Sequence, residues 1–304
     1  MKHAAVMLLS VFLFQAAPGC GEKKTIQRAS GFTPSAHIDD NAGLEISGIA
    51  KSSRFPDIYW AVNDSGNPPV IVPFRKNGRV VGNPAKGILV TGAQNIDWES
   101  LAADSSGNLY ICDTGNNTDR RKELQIYRIP EPSPRSRTTL KADKIRIQYP
   151  EDTTVSPDML VHDCEAVFHY KSKLYFLTKR RYDLATVLYR LDSTHDDRVN
   201  TLTFLSRYDI GGYVTGADIS PDQRCLAVLT YNALWLFYDF PDDDFFEGKK
   251  TRFPLEGTGQ IESVVFTDHD EIMFINEGEN ELFTIPLKSI QTGQHAESGK
   301  CSAR

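Results

Sequence analysis

The chain has 304 residues, 34 of them basic and 40 acidic, with 40% hydrophobic and 10% aromatic side chains and a formal net charge of −6. That composition excludes a disordered, fibrous or membrane-embedded chain. The acidic balance also excludes a general attraction to nucleic acid, which needs a basic stripe.

Met1, Lys2 and His3 form a short polar start, and Ala4–Phe14 is apolar apart from Ser10. This run is shorter than the ~20 apolar residues that span a bilayer and fits the apolar part of a secretory signal. Gln15-Ala16-Ala17-Pro18-Gly19 then leads into Cys20 and the polar Gly21-Glu22-Lys23-Lys24. Small residues before a Cys and a polar tether after it resemble a bacterial lipoprotein signal, in which Cys20 is lipidated and becomes the mature N-terminus. Ala17 stands where Leu is usual, and Pro18 is atypical. An ordinary secretory signal cut nearby is the alternative. The expected organisation is a signal peptide over 1–19, a tether with a closing strand over 20–43, a folded unit over 44–290 and a polar tail over 291–304. The implied location is the bacterial cell envelope, periplasmic or outer-surface, with the lipid as the sole membrane contact and the chain a monomer.

The other cysteines are Cys112, Cys164, Cys225 and Cys301, and none forms a Cys-x-x-Cys pair. Zinc-ribbon and thioredoxin-like readings therefore fail.

From residue 47 onward one layout recurs: a small or acidic start, an apolar strand, a polar turn and a second apolar strand. The starts are Ser47-Gly48-Ile49-Ala50, Glu99-Ser100-Leu101-Ala102, Glu165-Ala166-Val167-Phe168, Thr215-Gly216-Ala217-Asp218 and Glu262-Ser263-Val264-Val265. Second strands are expected at Ile58–Val62, Leu109–Cys112, Leu174–Leu177, Cys225–Leu229 and Glu271–Ile275. Third strands follow at Val70–Phe74, Gln125–Ile129, Val187–Leu191, Leu234–Tyr238 and Glu281–Ile285, and more polar outer strands include Lys144–Gln148 and Thr201–Leu205. The starts are separated by 52, 66, 50 and 47 residues, close to the ~40–50-residue period of propeller blades. No long helical stripe appears beyond the signal segment. The expectation is an all-β propeller of four-stranded antiparallel blades. Five blades are expected, with Thr25–Phe32 closing the ring beside Glu281–Ile285; six would require an irregular unit inside the longest interval.

In such a blade the start of the first strand and the loop after the second lie at the same mouth of the channel, because the pair is antiparallel. Here both are polar. The strand starts offer Ser47, Glu99, Glu165, Thr215 and Glu262, with Asp97 and Asp163 just before two of them. The loops offer Asp64, Asp113, Asn116, Asn117, Lys179, Arg180, Asn276 and Glu277, and Arg120 lies nearby. Facing carboxylates repel unless something positive sits among them. Glu99, Glu165 and Glu262 are the candidate metal ligands, and all-oxygen donors suit Ca²⁺. Lys179, Arg180, Arg120 and Arg121 could equally neutralise the carboxylates, and a hydrated, ion-paired channel is the competing reading.

Serine-hydrolase, zinc-protease, P-loop and dinucleotide-binding signatures are absent. His162 alone among the histidines lies beside a strand start, as a structural residue.

Two phrases carry a resemblance. Asp97-Trp98-Glu99-Ser100-Leu101-Ala102-Ala103-Asp104, with Gly107–Asp113 after it, and Thr215–Asp222 are similar to motifs of two propeller groups. One is the SMP30/gluconolactonase-like and paraoxonase-like superfamily; the other is the phytase-esterase-like family. The first implies a central Ca²⁺ held by Glu, Asn and Asp at strand starts, and both imply hydrolysis of lactones, esters or phosphoesters. Thr215 stands where that pattern has Asn, and Ser47 where it has Glu. The expected function is binding of a small molecule or an envelope protein at the acidic mouth, possible Ca²⁺ included. The alternative is a metal-dependent hydrolase, with Arg120 or Arg180 steadying an anion.

Overall fold

The computed structural model describes residues 32–293, apart from 40–42, 44, 83–86, 151–161 and 196. Cys20 and the signal segment lie outside the described residues. The chain enters the fold through β1 (Ala36–His37) and then builds its sheets in sequence. Blade one is β2 (Ile46–Lys51), β3 (Tyr59–Asn63), β4 (Val70–Phe74) and β5 (Ile88–Leu89); blade two is β6 (Trp98–Ala103), β7 (Asn108–Asp113), β8 (Leu124–Pro130) and β9 (Asp143–Gln148). Blade three is β10 (Cys164–Tyr170), β11 (Lys173–Thr178), β12 (Thr186–Leu191) and β14 (Thr203–Tyr208). Between its last two strands, β13 (Asn200–Thr201) reaches back to pair in parallel with β9. Blade four is β15 (Val214–Ile219), β16 (Cys225–Thr230), β17 (Ala233–Tyr238) and β18 (Lys249–Pro254). Blade five is β19 (Ile261–Asp268), β20 (Glu271–Asn276) and β21 (Glu281–Pro286), completed by β1.

The result is an all-β, five-bladed propeller of four-stranded antiparallel sheets. Its closure differs in place from the expectation. The strand beside β21 is Ala36–His37, with Ala36 opposite Leu282 and His37 opposite Glu281. Ser35 N and Ile38 N extend the pairing by donating to Leu282 O at 2.7 Å and Asn280 O at 2.9 Å. Of the expected closing segment, Thr25–Gly31 lies outside the described residues. Phe32 packs edge-on against Phe253 and Phe274. A short helix, α1 (Leu287–Gly293), follows the last strand and tucks Ile290 into the core.

Inner and middle strands are apolar on both faces because each blade is covered by its neighbours. In β3 every residue is buried, whereas the outer β9 alternates polar and apolar positions. The core is consequently a series of inter-blade layers. Trp60 and Ile71 meet Trp98, Ile111 and Tyr127 between blades one and two. Phe168 and Tyr175 meet Phe237 and Phe245 between blades three and four. The closing layer joins Tyr59 and Phe74 to Met273 and Leu282. No helix among the described residues is long and apolar enough to cross a membrane.

Candidate metal centre

Every innermost strand begins with the same irregularity. Its cross-strand register slips between Ile46 and Gly48, Trp98 and Ser100, Cys164 and Ala166, Val214 and Gly216, and Ile261 and Ser263. The residues left without an opposite number are Ser47, Glu99, Glu165, Thr215 and Glu262. A bulge frees one residue from the ladder and re-aims its side chain, and four of the five, Ser47, Glu99, Glu165 and Glu262, line one cavity at the mouth. Directly after each bulge stands Gly, Ser or Ala, because neighbouring inner strands converge there. Ser100 Oγ and Ser263 Oγ accept hydrogen bonds from Val167 N (3.1 Å) and Ile49 N (2.9 Å), stitching blade to blade.

At this mouth lies a cavity of about 170 Å³. Ser47, Glu99, Glu165 and Glu262 reach it from the bulges, and Asp64, Asn117, Lys179 and Glu277 from the returning loops. Arg181, Tyr231 and Gln260 complete its wall. Five carboxylates thus face two cations.

Compensation is uneven around the ring. Lys179 Nζ donates to both carboxylate oxygens of Glu165 at 2.6 Å and lies 5.0 Å above the Tyr231 ring. Burial opposes the charge on Lys179, but Glu165 and Glu262 outweigh it and hold the ammonium well above its ordinary range. Glu262 accepts a hydrogen bond from Gln260 Nε2 at 2.6 Å. Burial nevertheless pushes the Glu262 carboxyl up to about 7, against the pull of Lys179. Glu99 receives no hydrogen bond among the described residues. Burial, followed by the nearby charges of Glu165 and Asp64, drives its carboxyl well above the usual range. Asp97 is raised to about 6 by burial and then by Asp64. Asp163 accepts one hydrogen bond at Oδ1, from Asn116 N at 2.8 Å, while its buried Oδ2 has no donor. The Thr215 hydroxyl is likewise buried without a partner.

The carboxylates of this wall converge. One carboxylate oxygen each from Glu99, Asp163 and Glu165 lies within 4.8 Å of the others, and the same holds for Asp64, Asp97 and Glu99. Oxygens bound to one Ca²⁺ at 2.3–2.6 Å are separated by up to about 5 Å, so either set can share an ion. Gly115 leaves the room for this: a Cβ there would fall 2.5 Å from Asp97 Oδ2 and 2.6 Å from Glu99 Oε1. The acidic clusters are therefore capable of coordinating a metal ion.

All three members of the expected set, Glu99, Glu165 and Glu262, line the mouth cavity, but only Glu99 and Glu165 share a cluster. Blades two and three are neighbours, so Glu99 and Glu165 meet; Glu262 stands on blade five and belongs to neither cluster. The partners that replace it, Asp97 and Asp163, sit two residues ahead of the bulge. The signal for them is an Asp-x-Glu phrase present at only two of the five starts, with Gln260-x-Glu262 as its blade-five counterpart.

Several other expected residues serve the loops rather than the cavity. Asp113 is fully buried and accepts from Arg121 Nη2 (2.7 Å), Gln125 Nε2 (2.7 Å) and Asp97 N (3.0 Å). Asn116 closes its own loop by accepting from Arg121 N at 2.8 Å. Asn276 donates to Thr258 O at 2.9 Å and accepts from Glu281 N at 2.8 Å. Arg180 turns to Asp183, with Nη2 to Oδ2 at 2.7 Å. Arg120 is exposed and off the wall. Thr215 is buried beneath the mouth, also off the wall. The cations that approach the carboxylates besides Lys179 are Arg121, 4.0 Å from Asp97, and Arg181, 4.0 Å from Asp163.

No family profile matches the sequence, and no curated protein does. Among solved structures, the chain is similar to the PQQ-bound aldose sugar dehydrogenase of Streptomyces coelicolor, with TM-score 0.50 and 11% identity over 84% of this chain and 96% of that one. Hydrazine synthase of Kuenenia stuttgartiensis is similar at TM-score 0.49 and 12% identity, over 88% and 83% of the two chains. At such identities the likeness is one of fold alone.

Proposed function

We propose that the chain holds a divalent cation, Ca²⁺ in the first place, through Glu99, Asp163 and Glu165, and acts as a metal-dependent hydrolase of esters, lactones or phosphoesters. The observation that carries this is Asp163 Oδ2, a buried carboxylate oxygen without a hydrogen-bond donor, on a residue one of whose carboxylate oxygens lies within 4.8 Å of one from the undonated Glu99. A buried carboxylate oxygen without a hydrogen-bond donor, met among the described residues only by the half-exposed Arg181 at 4.0 Å, is costly, and a cation between the two carboxylates would reduce that cost. When bound, the ion supplies positive charge that polarises a carbonyl or phosphoryl oxygen. Burial drives the Glu165 carboxyl well above its usual range, and Lys179, bonded to both of its oxygens, opposes that rise. Arg181, half exposed at the rim, is placed to meet an anionic group of the substrate. Glu262, on the opposite wall with its carboxyl near 7, can take up or release a proton at neutral pH. The resemblance of Asp97–Asp104 and Thr215–Asp222 to gluconolactonase-like and phytase-esterase-like propellers supports the hydrolytic reading. Export, lipidation at Cys20, a place in the cell envelope and a monomeric state belong to the same proposal.

The test is metal content together with melting in calcium or chelator, for the unmodified protein, Glu99→Gln and Asp163→Asn. Calcium at 100 times its Kd adds about 2.7 kcal/mol, a rise of roughly 5–10 °C at 2–4 °C per kcal/mol for a domain of this size. Both substitutions should abolish the rise, and chelator should abolish turnover of an ester, lactone and phosphoester panel. A calcium shift without turnover reduces the protein to a binding module. No shift removes the metal centre.

A further inference from the structure

A second polar cavity lies on the rim, apart from the acidic mouth. It has a volume of about 940 Å³ and is lined by Arg75, Arg79, Arg135 and Arg137, with Asp39 as its sole acid among the described residues. Elsewhere this acidic chain neutralises many of its arginines: Arg121 with Asp113, Arg128 with Asp143, Arg180 with Asp183, and Arg190 with Asp192 and Asp243. In the rim cavity no described side chain bonds or pairs with any of the four guanidinium groups.

Backbone bonds fix both pairs in place. Arg75 and Arg79 flank the turn after β4, where Arg75 N donates to Arg79 O at 2.9 Å and Gly78 N to Arg75 O at 2.8 Å. The closing strand docks on this turn, with Asp39 N donating to Gly78 O at 3.3 Å. Arg135 and Arg137 belong to the loop after β8, which is bound to β5 through Leu89 N to Arg137 O at 3.0 Å and Thr139 N to Leu89 O at 2.9 Å. Leu89 and Leu140, on that same rim, are 44% and 71% exposed.

We propose that this rim binds anionic phosphate groups, and specifically those of a phospholipid surface. Four like charges against the single described acid Asp39 leave a net repulsion that a bound anion would relieve. Guanidinium forks match phosphate oxygens two by two. Exposed leucines beside arginines favour a surface whose charged head groups overlie an apolar interior. The tether agrees with this. Asp39 lies 19 residues after Cys20, a stretch that reaches at most ~65 Å, so the lipid anchor proposed above at Cys20 would allow this edge of the disc to meet the membrane. The inference is independent of the metal centre.

The test uses the chain from residue 20 onward carrying Cys20→Ala, which retains the whole described fold, sedimented with vesicles of phosphatidylglycerol and phosphatidylcholine or of phosphatidylcholine alone. Binding should require the anionic lipid and weaken with salt. The pair Arg135→Gln and Arg137→Gln should weaken it about 30-fold, at about fivefold per basic side chain near an anionic bilayer, with no change in melting temperature. Leu140→Ser should weaken it further. Equal binding to both vesicle types, or indifference to the arginine pair, overturns the proposal. So does saturation by inorganic phosphate without retention on vesicles, which would make the cavity a soluble-anion site.

Discussion

Replacing Lys179 by Met separates the two ways in which the mouth can be neutralised. The Lys179 side chain is 7% exposed and that of Glu165 3%, so solvent screens the pair little. Removing one partner of a buried ion pair costs about 3–5 kcal/mol, because the remaining charge is left uncompensated. Loss of the ammonium over Tyr231 adds roughly 0.5–2 kcal/mol. For a domain of this size the lower bound alone lowers Tm by about 6–12 °C in chelator. Glu165→Gln should also destabilise, by stranding Lys179. The double variant removes both charges and should recover much of the loss, with a coupling of about 3 kcal/mol by double-mutant cycle. Calcium adds a second axis. Once freed from Lys179, Glu165 offers both oxygens to the ion, so Lys179→Met should lose less stability in calcium than in chelator and bind calcium more tightly. Thermal melts of the four proteins with and without calcium make the measurement. Additive single effects, or a Lys179→Met loss below about 1 kcal/mol, would refute the assignment of Lys179 as the compensating charge.

Two further outcomes follow from the geometry. Burial raises Glu262 to about 7 and Asp97 to about 6, and holds Glu99 and Asp163 above their ordinary values. The folded state therefore binds protons more tightly than the unfolded one, and stability falls as pH rises through that window. In chelator Tm should rise on going from pH 8 to pH 6; in calcium the gain should shrink, since the ion and protons compete for the same oxygens. A falling Tm in chelator over that range would mean that the carboxylates are already compensated. Gly48→Ala places a Cβ 2.7 Å from Leu101 N and 2.9 Å from Ser100 C, against backbone that cannot swing aside. It should destabilise by about 1–3 kcal/mol, as overpacking does, and a Tm equal to that of the unmodified chain would show that the seam between blades one and two can open freely.

The propeller was legible in the sequence because its period is carried by strongly apolar inner strands, each buried on both faces. The closing strand was not. Ala36–His37 is two residues long and shows no alternation, so the more apolar Thr25–Phe32 drew the assignment; pairing there is specified by the chain it meets, Asn280 to Leu282, rather than by its own pattern. At the mouth, the bulge residues were legible as motif starts. Blade order follows from the chain; what spacing does not carry is how far each side chain reaches across the mouth, and hence that Asp163 rather than Glu262 shares a cluster with Glu99. Asp113, Asn116 and Asn276 looked like ligands because polar loop residues have two uses. Here their side chains satisfy nearby backbone and guanidinium groups, the local bonding that Asn and Asp readily supply.

The repeated bulge has a consequence for how such a site can change. A bulged residue owes nothing to the cross-strand ladder, so its side chain can be exchanged without altering any sheet hydrogen bond. Five structurally equivalent sockets are therefore independently addressable around one axis. In this chain they are filled unequally, with hydroxyls at Ser47 and Thr215 and carboxylates at Glu99, Glu165 and Glu262. Fivefold geometry thus carries an asymmetric charge pattern. A molecule bound at the mouth would meet a directional field, most acidic on the side of Glu99, Asp163 and Glu165.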